Sequence, residues 1–511
     1  MEGFPILTLI TLTPLLGALV VLAIPRQRER AIKLFSILLS LIPFVLAIIL
    51  WFNYDYQAGT IQFVEEYQWI PSLDIYYRMG VDGISVPMVF LTTLLTVISL
   101  YYSSRVINVR VKEYFFFFLL LEMGMIGVFT SLDFFLFYVF WEIGLVPMYF
   151  LIGVWGGERR EYAAIKFFLY TLAGSVLMLL AILGMYIAEG TFNIIEMAAR
   201  QPFSDNFVLQ AMAFWAMFAA FAIKVPLFPF HTWLPDAHVE APTAGSVILA
   251  GILLKLGCYG FLRILLPIFP GAFQVYAPIV GILALASIVY GALVSMAQWD
   301  LKKLIAYSSV NHMGYVMLGV AAAAYAGFNM ATDPAVLDSA TIAVNGAVMQ
   351  MFNHGIITGG LFLLVGVIYE RAHTRDLKAF GGLATRVPFY YAVMITTCLA
   401  SLGLPGLAGF VAEFMVFRGS VAIIPLLAAL GVLGVLFTAA FFLWKVIQSM
   451  FLGPLNEKWA ELSDMERYEL LCMVPLIFFM CLFGLYPVPI LNMMNNTVYS
   501  LLQTLSLRIG G

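Results

Sequence analysis

The sequence has little charge, few cysteines and no clustered basic patch. Charged residues make up 11% of its 511 residues, hydrophobic residues make up 63%, and the mean hydropathy is +0.97. Because about a quarter of the residues in ordinary soluble domains are charged, a soluble globular protein is excluded and a protein embedded in a lipid bilayer is predicted. The net charge of −3 and the scattered lysines and arginines argue against a nucleic-acid partner.

The four cysteines lie in apolar runs without the spacing of a metal site. No CxxC pair and no Cys/His cluster includes Cys258, Cys398, Cys472 or Cys481. We therefore expect neither an iron–sulfur cluster nor a disulfide framework, and no cofactor or metal ion bound by this chain. The connections between the apolar runs are too short for a soluble domain, which excludes a globular enzyme site outside the bilayer.

Apolar runs long enough to cross a bilayer as helices divide the whole chain. We predict an all-α polytopic membrane protein of about fourteen transmembrane helices. They cover residues 5–24, 31–52, 81–102, 114–131, 133–155, 163–188, 207–230, 241–266, 273–296, 302–325, 341–369, 388–417, 421–452 and 470–494. The spans group into an N-terminal three-helix segment (1–110), two five-helix blocks (111–270 and 271–455) and a C-terminal helix (456–511).

The lysines and arginines are unevenly divided between the two sets of connections. Alternating the connections assigns eighteen of the 26 to one side and five to the other, and leaves Lys224, Lys255 and Lys445 within spans. Positive residues accumulate on the inner side of a membrane, so both termini are predicted to lie on the outer side.

The two five-helix blocks are expected to be inverted repeats, because a duplicated unit with an odd number of spans inserts upside down. The fourth span of each block is interrupted: Pro226 and Pro229 follow Lys224, and Pro405 precedes Glu413. Proline removes a backbone donor, and interrupted backbone persists at membrane depth only where protein or water satisfies it. We therefore predict two discontinuous helices at a translocation site, with two ordinary proline kinks as the alternative.

Four ionisable residues lie deep within the apolar spans, namely Glu142, Lys224, Lys255 and Glu413. An isolated charge is costly there, which makes these residues functional candidates. A buried lysine and glutamate favour their charged forms when close and their neutral forms when apart, so movement can bind or release a proton. We assign Glu142 as the partner that tunes Lys224, Lys255 as the central relay, and Glu413 as the terminal site releasing to the outer side. The alternative for Glu142 and Lys224 is a static pair that fixes helix register.

Four histidines are candidates for proton relay. His312 and His354, in NHMGY and FNHGI, could pass protons between lysine and glutamate, or they could be core histidines bonded to backbone. His231 and His238, in HTWLPDAH, could form an entry path from the inner side, or they could cap a helix beside Asp236.

Three further charged residues receive weaker assignments. Glu122 is either an accessory carboxylate or part of a helix interface. Lys445 lies close enough to the inner end of its span to reach the membrane surface. Asp133 stands at a helix start and fits an N-cap.

Seven segments together resemble one known family. They read FWEIGLVPMYFLIGVWGG, AAIKFFLYTLAGS, AIKVPLFPFHTWLPDAHVEAPT, LAGILLKLGCYG, DLKKLIAYSSVNHMGY, FNHGIITGGLFLLVG and LPGLAGFVAEF. Over about residues 80–455 the chain resembles the antiporter-like membrane subunits of proton-pumping NADH:quinone oxidoreductase, respiratory complex I. The resemblance implies a fourteen-helix subunit with two inverted five-helix repeats, and it assigns the matching residues the roles given above. Glu413 fits the M, or subunit 4, type, because a lysine is usual there in the sister subunits.

The resemblance also implies partners and cofactors. NADH, FMN, iron–sulfur clusters and quinone are expected in other subunits, whose electron transfer this translocase subunit would couple to proton pumping. Its partners would be the other membrane-arm subunits, two of them similar antiporter-like subunits, in a bacterial cytoplasmic membrane. Two alternatives stay open: a subunit of a multi-component sodium/proton antiporter, and a membrane subunit of a proton-pumping hydrogenase.

Overall fold

Nineteen α-helices and one β-hairpin form the part of the chain that the computed structural model describes, residues 3–509. The first half contains α1 (Ile6–Ala23), α2 (Glu29–Asn53), β1 (Gln62–Ile70), β2 (Ile75–Val81), α3 (Ser85–Val106), α4 (Val111–Thr130), α5 (Phe134–Trp155), α6 (Arg160–Glu189), α7 (Ile194–Arg200), α8 (Phe207–Lys224), α9 (Trp233–Glu240) and α10 (Thr243–Ile268). The second half contains α11 (Pro270–Ala297), α12 (Leu301–Ala326), α13 (Asn329–Thr332), α14 (Pro334–Ala372), α15 (Pro388–Ser401), α16 (Ala408–Val421), α17 (Pro425–Phe451), α18 (Arg467–Leu485) and α19 (Val488–Ile509).

Twelve of these helices are long and apolar enough to cross a membrane. They are α1 to α6, α8, α10, α11, α14, α17 and α18. Two further predicted spans correspond to α12, which is 26 residues long but more polar, and to the α15–α16 pair, whose members have 14 residues each. The architecture is therefore consistent with the fourteen predicted spans, and the helical class is confirmed apart from the hairpin.

Both predicted interruptions are present. In the first block α8 ends at Lys224 and α9 begins at Trp233, whose indole Nε1 donates to the carbonyl oxygen of Ile223 at 2.9 Å and so satisfies a group near the break. In the second block α15 ends at Ser401 and α16 begins at Ala408, whose carbonyl oxygen accepts a hydrogen bond from another helix. Each interruption occupies the fourth place of its block, which is consistent with inverted repeats.

The β-hairpin covers residues 62–81, between α2 and α3. Strands β1 and β2 pair antiparallel with two irregularities in register. Glu65 of β1 accepts hydrogen bonds from the backbone amides of Leu7 and Thr8, at 2.7 and 3.0 Å, and thereby caps α1. The hairpin thus fixes the start of the first helix, and the side of the molecule that carries it is called the hairpin face below. The opposite side is called the loop face.

The C-terminal segment 456–511 differs from the prediction of a single helix. It contains α18 and α19, separated near Pro487, which lacks a backbone donor and ends the regular helix. Asn496 of α19 donates to the carbonyl oxygens of Tyr56 and Gln57 at 3.1 and 3.2 Å. The predicted span 470–494 is therefore divided, and α19 packs on the hairpin face.

Candidate functional site

Lys255 lies in a helix whose regular hydrogen bonding is disturbed on both sides. Within α10, π-helical segments span Leu249–Leu253 and Phe261–Leu265, and such segments recur at functional sites. The Lys255 side chain is 0% exposed, and its Nζ donates to the carbonyl oxygen of Ala250 inside the first segment. The same Nζ lies 2.6 Å from Nδ1 of His354 on α14. The predicted central relay therefore has a direct imidazole partner, and nothing in the sequence pattern revealed the π segments.

His312 connects this pair to the second predicted carboxylate. The ring centroids of His354 and His312 are 5.6 Å apart, and Nδ1 of His312 lies 3.3 Å from Oε1 of Glu413. Lys255, His354, His312 and Glu413 thus follow one another in space and are called the buried row below, although His354 Nε2 has no hydrogen-bond partner among the described residues. The structure brings together four residues that the sequence places on four different helices: α10, α14, α12 and α16.

Two neutral side chains orient His312 within the buried row. Gln350 Nε2 lies 3.2 Å from His312 Nδ1, and Ser401 Oγ lies 3.3 Å from His312 Nε2. Ser401 is the last residue of α15, so the helix interruption brings a hydroxyl to the imidazole. A cavity of about 10 Å³ touches both histidines and Glu413, and this is room for about a single water molecule. Sequence reasoning missed Gln350 and Ser401, because polar neutral residues in spans carry no distinctive signal.

Lys224 and Glu142 lie apart from the buried row and from each other. Lys224 Nζ has no hydrogen-bond partner within residues 3–509, and it lies 5.3 Å from the ring centroid of Trp141 and 5.8 Å from that of Phe167. Glu142 is half-buried, and its Oε1 is also without a hydrogen-bond partner in the described chain. The two groups remain within electrostatic range. The arrangement is therefore not a static ion pair, and aromatic faces stabilise the lysine charge.

His231 and His238 are both buried, at 2% and 0% exposure. The ring of His231 packs against Tyr290 at a centroid distance of 5.1 Å, and His238 stacks on Phe362 at 4.4 Å. None of their ring nitrogens has a hydrogen-bond partner among the described residues. Neither histidine caps a helix, so the capping alternative is wrong, and the entry path stays a prediction.

Asp236, next to these histidines, pairs with another residue. Its Oδ2 accepts a hydrogen bond from Lys166 Nζ at 2.7 Å. Lys302, which the sequence analysis did not single out, is 6% exposed and donates to the carbonyl oxygen of Ala241. It lines a cavity of about 670 Å³ on the loop face together with Glu240 and Arg375. This cavity is a further candidate entrance that the sequence pattern did not indicate.

The weaker assignments have different outcomes. Asp133 accepts hydrogen bonds from the amides of Phe135 and Leu136, so the predicted N-cap is confirmed. Lys445 donates to the carbonyl oxygen of Gln298 at 2.8 Å and lies over the indole of Trp299, which supports its structural interpretation. Both carboxyl oxygens of Glu122 are buried without a partner in the described chain. The choice between accessory carboxylate and helix interface for Glu122 therefore stays open.

Within residues 3–509, no group of three or more His, Cys, Asp or Glu side chains is arranged to hold a metal ion. Cys258, Cys398 and Cys472 are free and buried, and Cys481 is free and partly buried.

Comparison with known proteins identifies relatives that span the full chain. The family model described as "NADH:quinone oxidoreductase/Mrp antiporter, TM" matches residues 131–333 and 334–438. NADH-quinone oxidoreductase subunit M of Rickettsia prowazekii (strain Madrid E) is 42% identical over 509 residues, which cover 98% of this chain and 99% of that protein.

Solved structures give the same relationship. A chain of respiratory complex I from Thermus thermophilus with bound NADH matches with a TM-score of 0.86 at 29% identity, covering 98% of this chain and 99% of that one. A chain of the Mrp complex from Dietzia sp. DQ12-45-1b matches with a TM-score of 0.81 at 23% identity, covering 96% of this chain and 52% of that one. The second match shows a shared fold only.

Proposed function

We propose that this chain, which belongs to the membrane-subunit family of NADH:quinone oxidoreductases and Mrp antiporters, translocates protons as the M-type subunit of a proton-pumping NADH:quinone oxidoreductase. The 42% sequence identity to a subunit M extends over nearly the whole of both chains, and this supports the assignment over the antiporter alternative. The chain of the Mrp complex that matches this fold is about twice as long as the present chain. The observation that carries the proposal is the buried row, in which titratable groups follow one another between two helix interruptions.

The buried row accounts for proton movement within the membrane. Lys255 gives a proton to Nδ1 of His354, and the imidazole gives up the proton on its Nε2 in the direction of His312. His312 then protonates Glu413, whose Oε1 lies beside its Nδ1. Each transfer leaves the proton of the imidazole on the nitrogen that received it, so the ring has to reorient before it accepts the next proton on the same side, and Lys255 has to be reprotonated from the first half of the path. Imidazoles suit this task because one ring nitrogen can accept a proton while the other releases one.

Glu142 and Lys224 supply the switch at the start of the path. When the Glu142 carboxylate approaches Lys224, its charge favours the protonated lysine. When the carboxylate moves away, the desolvated ammonium loses this support and gives up its proton. The separation of the two groups in this structure, with the lysine held against aromatic rings, represents the state in which the carboxylate is withdrawn.

The remaining parts of the pump belong to other subunits. We assign NADH, FMN, iron–sulfur clusters and quinone to those subunits, and two further antiporter-like subunits to the same membrane arm. The excess of lysine and arginine in one set of connections supports a topology with both termini on the outer side of a bacterial cytoplasmic membrane. The hairpin face is then the outer side, and the cavity beside Lys302 opens to the inner side.

Gentle purification through an affinity tag on this chain tests the assignment. The expected result is a complex that contains flavin and iron–sulfur clusters and reduces quinone with NADH. An assembly without quinone reductase activity, which exchanges sodium for protons in vesicles, would contradict the proposal and support the antiporter alternative.

A further inference from the structure

Tyr315 is a buried tyrosine whose hydroxyl has no hydrogen bond within residues 3–509. It lies on α12 three residues after His312, so the two side chains share one face of the helix, and their ring centroids are 5.8 Å apart. The residue is 0% exposed. An unpaired buried hydroxyl is unfavourable, and phenylalanine would fill the same space without this cost. The hydroxyl therefore needs an explanation other than packing.

Asn311 and Thr438 are the polar neighbours of this hydroxyl. Asn311 donates from Nδ2 to the carbonyl oxygen of Ile288 at 2.7 Å, and its Oδ1 accepts from Thr438 Oγ1 at 3.2 Å. A Cβ atom at Gly434 would come within 3.2 Å of the Tyr315 hydroxyl and 3.0 Å of Asn311 Nδ2. The glycine thus makes room for a small polar cluster between α12 and α17, which holds the Tyr315 hydroxyl beside Asn311 and Thr438 without a well-oriented hydrogen bond among the described residues.

Glu413 lies on the helix that packs against Tyr315. The Tyr315 ring centroid is 5.5 Å from that of Phe417, one turn after Glu413 on α16, while Oε1 of Glu413 contacts His312 at 3.3 Å. That contact is long for a charge-assisted hydrogen bond, and His312 Nδ1 also faces Gln350. The carboxylate therefore has two competing partners on one helix face: the imidazole that delivers a proton and a hydroxyl whose donated hydrogen bond is stronger to the deprotonated form.

We propose that Tyr315 is a positioning residue that holds the deprotonated Glu413 carboxylate away from His312. After Glu413 has released its proton, the Tyr315 hydroxyl donates a hydrogen bond to the carboxylate and draws it towards the Asn311 and Thr438 cluster. The contact between His312 and Glu413 then breaks, and proton transfer between them is interrupted until His312 is protonated again. This inference rests on the proposed function of the buried row.

Tyr315→Phe tests the proposal, because it removes one oxygen atom and leaves the ring. We expect proton pumping and coupled quinone reduction per assembled complex to fall about tenfold or more, the effect of one lost hydrogen bond to a charged group. The KM values for NADH and quinone should not change. A purely structural role predicts normal pumping per assembled complex, because loss of an unpaired buried hydroxyl leaves the stability of the protein unchanged or improves it. Normal pumping in Tyr315→Phe overturns the proposal.

Tyr390→Phe is the matched control. Tyr390 is equally buried, but its hydroxyl donates to the carbonyl oxygen of Leu364 at 3.1 Å, away from the buried row. Its loss should lower thermal stability and leave pumping per assembled complex intact. If Tyr390→Phe and Tyr315→Phe reduce pumping equally, the effect is general and the proposal fails.

A double-mutant cycle separates action through Glu413 from any independent effect. Glu413→Asp keeps a titratable carboxyl but shortens the side chain away from the hydroxyl. If Tyr315 acts through this carboxylate, adding Tyr315→Phe to Glu413→Asp causes little further loss, whereas multiplying losses contradict the proposal. Lys255→Ala, measured in the same assay, separates a failure of the buried row from a failure of the role proposed for Tyr315. Normal pumping in Lys255→Ala refutes the buried row itself, whereas loss there with normal pumping in Tyr315→Phe refutes only the role of Tyr315.

Discussion

Glu413 is the residue at which the proposed mechanism and a purely structural one differ most clearly. The sister subunits in the resembling family usually carry a lysine at this position, which suggests that a titratable group matters more there than the sign of its charge. We therefore expect Glu413→Lys to retain more coupled activity than Glu413→Ala or Glu413→Gln. The cavity of about 10 Å³ beside the carboxylate gives the longer side chain some room.

The size of the expected loss follows from the contact between His312 and Glu413. A hydrogen bond to a charged group contributes about 1.5–3 kcal/mol. Because neither Ala nor Gln can accept the proton at this position, we expect the coupled activity of these two variants to fall by roughly 10- to 150-fold. If Glu413 instead formed a fixed ion pair with a protonated His312, a lysine would put two positive charges together. At about 4 Å and an effective dielectric constant of about 20, their repulsion is about 4 kcal/mol.

Reconstituted complexes decide between these two forecasts. Proton pumping and quinone reductase rates are measured for the three variants and normalised to complex content. The proposed mechanism predicts that the lysine variant is the most active of the three. If the lysine variant is the least active, a protonation cycle at Glu413 has to be abandoned.

The remaining predictions concern the first half of the path and the helix packing around it. Glu142→Gln should be nearly as damaging to pumping as Glu142→Ala, and Glu142→Asp should retain part of the activity, because the carboxylate charge sets the affinity of Lys224 for its proton; full activity in the Gln variant would leave only a packing role. Gly257→Val should sharply reduce the amount of assembled complex, because a Cβ there would lie 2.7 Å from the carbonyl oxygen of Phe221. Gly144→Ala, where a Cβ meets nothing within 4 Å, should assemble normally, and equal assembly of the two glycine variants on native gels would refute this packing argument.

Much of the fold could be predicted because the bilayer imposes simple rules on the sequence. Apolar run length predicts helices, and proline and glycine beside Lys224 and Glu413 predict the two interruptions that the structure contains. The β-hairpin at Gln62–Val81 was not predicted, since β1 is mostly exposed, the pairing is irregular in register and neither strand alternates cleanly between buried and exposed residues. The break before α19 was missed because the apolar run continues through it.

The candidate site could be predicted in composition but not in arrangement. The free-energy cost of burying a charged side chain in the bilayer makes Lys255 and Glu413 recognisable from the sequence alone. The structure adds that His354 and His312 lie between them. Which of several buried histidines meet a lysine depends on helix packing and on the π segments of α10, and neither leaves a periodic signal. Neutral partners such as Ser401 were missed for the same reason.

Proton pumping by the Lys255→Ala complex tests the central claim most directly. The substitution removes the titratable group at the start of the buried row, and Lys445→Ala serves as a control because that lysine donates to a backbone carbonyl and lies over two indole rings, outside the buried row. In vesicles containing equal amounts of each assembled complex, NADH is added and the resulting pH gradient and quinone reduction are recorded together. The account predicts that Lys255→Ala loses the gradient and most coupled quinone reduction while Lys445→Ala keeps both, and a normal gradient in Lys255→Ala would contradict it.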